Sequence, residues 1–398
     1  MSKLTLIATA TFGLEAVVKR EIEALGYPIV RSEDARILYT GDERALCRSN
    51  LWLRAADRVL VLVGEFEARS FEELFQQTKA LPWADWIPAD GCFPVEGSSV
   101  KSRLHSVPDC QAIVKKAVVE SMKETYGLER FPETGAKYPI KVSILKDRVS
   151  LTLDTTGPGL HKRGYRVRTV PAPIKETLAA AMVELSFWKE GRLLVDPCCG
   201  SGTIPIEAAM IAKNVAPGLG RKFLAEEWDV IPKALWKEER TVAFKAVKQD
   251  HSIVIRAFDV DKEAILAAAI NAREAGVDDC ITFRTLDIKD LYEYMQKAGG
   301  PEPYGIMITN PPYGERIGEK DQIAGIYKAL SDFYRREKTW SLYLVTSDKE
   351  FEKRFRREPA DRRRKLYNGN LEICYYQYYG QRPPKPDTEA GPSGRTAR

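Results

Sequence analysis

The distribution of apolar positions separates the chain into two halves of different rhythm. Up to about residue 165, short runs alternate: Leu4 to Thr9 reads as a strand and Leu14 to Leu25 as a helix, while Tyr138 to Leu145 and Val149 to Asp154 form a hairpin around Lys146-Asp147. Beyond Pro171 and Pro173, which mark a connection, longer apolar runs alternate with helical patterns. Five strands are expected there: Leu193 to Asp196, Ile253 to Asp259, Ile281 to Asp287, Tyr304 to Thr309 and Ser341 to Ser347. Strands alternating with helices imply right-handed crossovers and a parallel sheet. A hairpin follows, Lys365 to Tyr367 and Leu371 to Tyr379 around Asn368-Gly369-Asn370, and adds an antiparallel last strand. Residues 214 to 250, rich in Trp and Lys, make a long insertion after the first helix and read as helical.

The end of the fourth strand carries the strongest chemical signal, Asn310-Pro311-Pro312-Tyr313. An Asn side-chain oxygen and the carbonyl of a ring-locked residue give two acceptors in a stiff frame, with an aromatic face beside them. Such a frame suits a planar amine, whose ring-delocalised lone pair is steered towards an electrophile when both N–H bonds are accepted out of plane. The same cluster also serves simply as turn chemistry. A second feature supports the chemical reading. Leu193-Leu194-Val195-Asp196 runs into Pro197-Cys198-Cys199-Gly200-Ser201-Gly202-Thr203, and a helix over Ile204 to Ala212 follows. Small residues admit a ligand close to the backbone, and the helix start favours an anionic group, so a nucleotide-like cofactor is implied. The dinucleotide fingerprint fails on spacing, because the next strand-terminal acid is Asp259. Asp259 is placed to take ribose hydroxyls and Asp287, ending the third strand, to accept from an adenine amine; a helix N-cap is the competing role for each.

This ordered set resembles the class I S-adenosylmethionine-dependent methyltransferases, and more closely the guanine-N2 rRNA and tRNA enzymes that carry an N-terminal THUMP module. Gly13 to Gly26 looks like the opening helix of the ferredoxin-like subdomain that precedes THUMP. Val100 to Ala117 and Leu160 to Arg166 are similar to segments of the bacterial large-subunit rRNA guanine-N2 methyltransferases. The resemblance implies an α/β fold: a Rossmann-like, mostly parallel seven-stranded class I sheet preceded by an α+β ferredoxin-like plus THUMP RNA-binding region. Expected boundaries are 1–60 for the ferredoxin-like subdomain, 61–160 for THUMP, 161–175 for a linker, 176–380 for the methyltransferase domain and 381–398 for a Pro/Gly/Ser-rich disordered tail.

Carried over by residue, Asp196, Pro197, Gly200, Gly202 and Thr203 would line the methionine end of S-adenosylmethionine, with Asp259 on the ribose and Asp287 on the adenine. Thr177, in the segment Pro173 to Leu178, would help close over the cofactor. Asn310, Pro311, Pro312 and Tyr313 would hold the target amine, Asn310 also bordering the cofactor. The implied partner is structured RNA, foremost 23S ribosomal RNA or its precursor particle. Guanine-N2 methylation of tRNA stays open, DNA adenine-N6 and protein glutamine methylation use the same planar amine chemistry and stay open too, as does a non-catalytic RNA-binding assembly factor.

Charge sharpens the RNA expectation once it is located. The whole chain carries only +5, but Lys353 to Lys365 holds eight basic and two acidic residues, with Phe351 and Phe355 close by. Arg362, Arg363 and Arg364 in that run, Lys162, Arg163 and Arg166 in a second cluster, and Lys101 and Arg103 in the THUMP-like segment are the expected RNA contacts. No stretch has the apolar length of a membrane span and no signal peptide precedes the first strand, so a cytoplasmic protein without a membrane partner is expected. Seven scattered cysteines read as reduced thiols. Cys198 and Cys199 are too close together for one tetrahedral metal, and His105, His161 and His251 show no ligand spacing, so no metal is expected. Nothing in the sequence sets an oligomeric state.

Overall fold

Two sheets of seven strands organise the molecule, one in each half of the chain. The structure, a computed structural model, describes residues 3–170, 173–249, 251–313, 319–355 and 359–384. Pro171 of the connection, Arg356 and Arg357 of the basic run, and the tail from 385 lie outside the described residues. The first half comprises β1 (Leu4–Ala10), α1 (Glu15–Ala24), β2 (Ile29–Glu33), β3 (Arg36–Gly41), α2 (Glu43–Trp52), β4 (Ala56–Glu67), α3 (Phe71–Lys79), β5 (Val95–Val100), α4 (Val107–Tyr126), β6 (Ile140–Leu145) and β7 (Arg148–Asp154). Its strands run in the order β2-β3-β1-β4-β7-β6-β5. The expected division at residue 60 falls inside β4, which pairs with β1 on one side and β7 on the other. The ferredoxin-like and THUMP regions therefore share one continuous sheet. The β6–β7 hairpin turns on Lys146 and Asp147, both with positive φ, 52° and 64°.

The second half comprises α5 (Glu176–Glu184), β8 (Leu194–Asp196), α6 (Thr203–Ala212), α7 (Lys233–Lys245), β9 (Ile255–Asp259), α8 (Lys262–Glu274), β10 (Ile281–Thr285), α9 (Leu291–Lys297), β11 (Ile306–Thr309), α10 (Glu319–Arg336), β12 (Ser341–Thr346), α11 (Phe351–Phe355), β13 (Arg362–Asn368) and β14 (Leu371–Tyr378). The order is β10-β9-β8-β11-β12-β14-β13, parallel through β12 and antiparallel at β14 and β13. Every residue of β8, β11 and β12 is buried, as expected of parallel strands covered on both faces. Strand order reverses between β8 and β11, and the crevice at their carboxyl ends is where an open α/β sheet binds ligands.

The insertion brackets the two halves together. Among its described residues only Lys233–Lys245 are α-helical and the others form loops around one 3₁₀ turn, so the helical expectation holds in part. Trp228 stacks on Tyr138 with centroids 4.8 Å apart and donates its indole N–H to the Lys137 carbonyl. Gly218 donates to the Leu51 carbonyl, and a Cβ at Gly218 would lie 2.8 Å from both the Asn50 oxygen and the Leu51 Cα, so only glycine allows that approach. On α7 the fully buried Glu239 carboxylate receives Arg44 at 2.7 Å and Arg48 at 2.8 Å, both from α2.

A second cross-domain network is deeper. Arg163 and Glu207 of α6 are both buried and lie 3.4 Å apart. Arg163 also donates to the carbonyls of Leu160 and Arg54, and the Tyr165 hydroxyl donates to Glu207 at 3.0 Å. Nearby, burial and the neighbouring Glu184 carboxylate push Glu21 well above the usual carboxylate range, while its oxygens accept from the Arg54 and Ala55 amides. The expectation that Arg163 contacts RNA is thereby corrected: its guanidinium is committed to the interior, where a buried carboxylate needs it. Replacing Arg163 by Ala should lower stability by about 3–5 kcal/mol, because Glu207 loses its cation. Lys162→Ala, at the exposed neighbour, should stay within about 0.5 kcal/mol. Chemical denaturation of the two variants checks the contrast, and equal effects would refute the buried role.

Candidate active site

The turn from β8 into α6 forms one wall of the crevice. Gly200 (φ +52°) and Gly202 (φ +84°) let the chain reverse, and the Gly200 amide donates to Asp259 Oδ2 at 2.8 Å, tying this turn to the end of β9. Asp259 Oδ1 accepts from the Asp261 amide at 3.0 Å, which leaves lone pairs on both oxygens for a diol. The N-cap role next to Asp259 is taken by Asp261, whose side chain accepts from Glu263. Asp287 does cap: its Oδ1 accepts from the Lys289 amide at 3.0 Å, and its other oxygen remains open to an adenine amine apart from a loose 3.8 Å approach by Lys289.

Gly202 is the N-cap of α6 and offers no side chain, so the first-turn amides of α6 have no side-chain acceptor and can receive a carboxylate. The donor set thus fits an amino-acid-bearing nucleoside: uncapped amides, a ribose acid and an adenine acceptor along three successive strand ends. Asp196 sits at the base of this wall, fully buried, and its Oδ1 accepts from the Cys198 amide at 3.1 Å. Burial pushes its carboxyl up to about 7; the Cys198 amide pulls it down and Asp259 adds to the rise. Pro197 lies in the same turn. Burial likewise raises the Cys198 and Cys199 thiols well above the usual range, in keeping with small packing residues rather than thiolates.

The opposite wall is the end of β11. Asn310 follows Thr309 directly, and its Oδ1 accepts from the Tyr313 hydroxyl at 2.5 Å. The amide oxygen expected to receive the target amine is therefore held by Tyr313, and an incoming amine would exchange with that hydroxyl. Pro311 is buried and Pro312 exposed, so this segment turns outward from the sheet.

Residues 166–170 and 173–177 lie beside the wall formed by the glycine turn and α6. Arg166 donates to the Ile174 carbonyl and to Thr203 Oγ1 at 2.9 Å, and lies 3.2 Å from Glu176. That corrects its expected RNA role as well, since its donors face the interior of the linker. Thr177 is buried in the first turn of α5. Asn271 of α8, which sequence reasoning passed over, links this stretch to the glycine turn. A polar amide among the buried alanines Ala267, Ala268 and Ala272 was the available signal.

The remaining expected RNA contacts are spread over both halves. Lys101, Arg103 and Lys162 are exposed, as is Arg362 on the edge strand β13. Arg363 pairs with Glu352 at 2.9 Å, and Arg364 is half-buried. His251, Asp279 and Cys280 come within ligand distance of each other, but the Lys213 ammonium lies 3.0 Å from both Asp279 oxygens and supplies the positive charge there.

Comparison with known proteins agrees with this arrangement. A family model described as "RMKL-like, methyltransferase domain" matches residues 163–377, "RlmL ferredoxin-like domain" matches 5–60 and "THUMP domain" matches 68–154. The chain is 47% identical to the "Putative RNA methyltransferase YpsC" of Bacillus subtilis, over 98% of this chain and 100% of that protein. It is 34% identical to the "Ribosomal RNA large subunit methyltransferase K/L" of Syntrophotalea carbinolica, over 98% of this chain but only 56% of that longer protein. Among solved structures, a possible methylase from Clostridium difficile superposes with a TM-score of 0.91 at 47% identity, covering 96% of this chain and 100% of the other. A predicted N6-adenine-specific DNA methylase from Listeria monocytogenes gives 0.89 at 48%, covering 96% and 97%. A putative methyltransferase complexed with SAH gives 0.88 at 42%, covering 96% and 100%.

The buried Asp196 makes a measurable prediction for the ligand-free protein. An unfolded Asp releases its proton near pH 4, whereas the folded one retains it to about 7, so unfolding releases a proton in that window and rising pH destabilises the fold. Asp196→Asn should therefore gain stability relative to the unsubstituted protein as pH rises from about 4 to 7, by a few kcal/mol at the plateau. A gap independent of pH in denaturation series would refute the raised carboxyl.

Proposed function

The chain belongs to the RMKL-like methyltransferase family, with RlmL-like ferredoxin and THUMP regions ahead of the catalytic domain, and from that premise we propose that it methylates a guanine N2 amine in large-subunit ribosomal RNA. Its cofactor is S-adenosylmethionine. The observation that carries the proposal is the position of Asn310, on the strand next to β8 at the switch point and across the crevice from the glycine turn.

Bound there, S-adenosylmethionine supplies a methyl group on a positively charged sulfur. The uncapped α6 amides hold the carboxylate end, Asp259 the ribose and Asp287 the adenine. Asn310 Oδ1 and the Pro311 carbonyl accept the two N–H bonds of the target amine and turn its lone pair towards the methyl. A nitrogen–carbon bond forms as the carbon–sulfur bond breaks, and the amine's surplus proton passes to water. Tyr313, released from Asn310, offers its ring to the base, which must leave its stack to reach the crevice. The THUMP region ahead of the catalytic domain favours RNA as the molecule that presents the base.

Adenine N6 is the second reading, because the Listeria structure's description names it and because both amines are planar and would make the same two hydrogen bonds. Transfer of tritium from labelled S-adenosylmethionine to ribosomal RNA, tRNA and DNA in parallel, followed by nucleoside analysis, separates them. Label in N2-methylguanosine of large-subunit RNA is expected; label in N6-methyladenine of DNA would overturn the assignment. Asn310→Ala should lower kcat about a hundredfold or more while RNA and cofactor still bind. Arg362→Ala should weaken RNA binding and reduce the slope of log affinity against log salt by about one, with kcat unchanged at saturation; an unaltered slope would remove Arg362 from the RNA surface.

A further inference from the structure

We propose that Asn271 is a positioning residue for the cofactor, a latch that holds the linker stretch 166–170 across the glycine turn. The side chain lies fully buried on α8, and all four of its hydrogen-bonding positions are used. Oδ1 accepts from the amides of Val167 at 3.1 Å and Arg168 at 3.0 Å. Nδ2 donates to the carbonyls of Arg168 at 2.8 Å and Ser201 at 3.1 Å. Three of these partners belong to the linker and the fourth to the turn between Gly200 and Gly202. One side chain therefore joins two backbone segments that are far apart in sequence and both border the cofactor.

The surroundings show that the join is tight. A Cβ on Gly202 would lie 2.9 Å from Ala268 Cβ, so α8 presses directly against the turn and leaves Asn271 no slack. From the other side, Val170 reaches within 3.5 Å of the position a Cβ on Gly200 would take. Arg166 ties the start of the same stretch to Ile174 and Thr203, and Glu176 faces its guanidinium. Residues 166–170 are thus fixed along their length against the wall that receives the methionine end. A packing role alone would have been served by another alanine, as at Ala267, Ala268 and Ala272; the buried amide instead joins backbone groups of two segments, the Arg168 amide and carbonyl on one and the Ser201 carbonyl on the other. The consequence is preorganisation: the turn and its cover are set before the cofactor arrives, and affinity does not fall through the ordering of either.

The inference rests on the cofactor and not on the identity of the methylated base, so a change of substrate leaves it standing. Binding and latch must be linked reciprocally. In the full-length unsubstituted protein, saturating S-adenosylmethionine should slow hydrogen exchange at the Val167 and Arg168 amides. By calorimetry, Asn271→Ser should raise the Kd for S-adenosylmethionine about ten- to a hundredfold, as expected when two of the three linker hydrogen bonds are lost. Asn271→Asp, which still accepts from both amides but turns a carboxylate oxygen towards the Arg168 and Ser201 carbonyls, should raise it as well. With RNA and cofactor saturating, kcat of both variants should stay within about threefold, so the loss appears in KM. An unchanged Kd in folded Asn271→Ser overturns the proposal. So does exchange at residues 167 and 168 that ignores the cofactor, a result that needs no variant to fold.

Discussion

A carboxylate with no water around it must have a cation, and in this protein that requirement joins the two halves of the chain. Glu207 leaves the glycine turn on α6 and meets Arg163, which follows the last strand of the first sheet, while Arg163 in turn holds the Arg54 carbonyl. Moving either half would strand a buried charge, which is far more costly than losing a surface ion pair. Glu239 of the insertion repeats the device against Arg44 and Arg48 of α2. The THUMP-bearing half is thus tied to the catalytic half by buried ion pairs as well as by the linker.

Within the catalytic half the division of labour follows the sheet. The β8, β9 and β10 ends bring together the uncapped α6 amides, Asp259 and Asp287, the set proposed to hold the cofactor, and the β11 end brings Asn310, the proposed amine acceptor. The two sides meet because strand order reverses between β8 and β11. The half-buried Asn310 Oδ1 accepts from the Tyr313 hydroxyl, so the acceptor has a donor in the ligand-free protein.

Much of this was written in short-range pattern. Asn310 to Tyr313, the Gly200 and Gly202 turn, and the acids at Asp259 and Asp287 were each legible as strand-end or turn positions because strand ends and glycine turns are local events. Five alternating strands and a closing hairpin were enough to specify a parallel sheet with an antiparallel end. Asp287 illustrates how two local readings coexist, since one oxygen caps a turn and the other faces the crevice. The basic cluster from Lys162 to Arg168 shows where local pattern fails: its Arg163 and Arg166 look like phosphate contacts in sequence and are interior cations in the fold. A positive run signals charge, not exposure, and exposure is a property of what packs on top.

The sequence by itself determined the strand rhythm, the glycine turn after β8 and the Asn-Pro-Pro-Tyr segment after β11, because each depends on residues within a few positions of one another. Only the tertiary structure decided that β4 carries two subdomains in one sheet, that the insertion is a bracket, and that Asn271 spans the linker and the glycine turn. Those outcomes depend on partners some 70 to more than 100 positions away, as from Asn271 to Ser201 and Val167, or from Arg163 to Arg54. A buried polar group chooses its partner by what the whole fold brings within hydrogen-bond reach, and no local window contains that information.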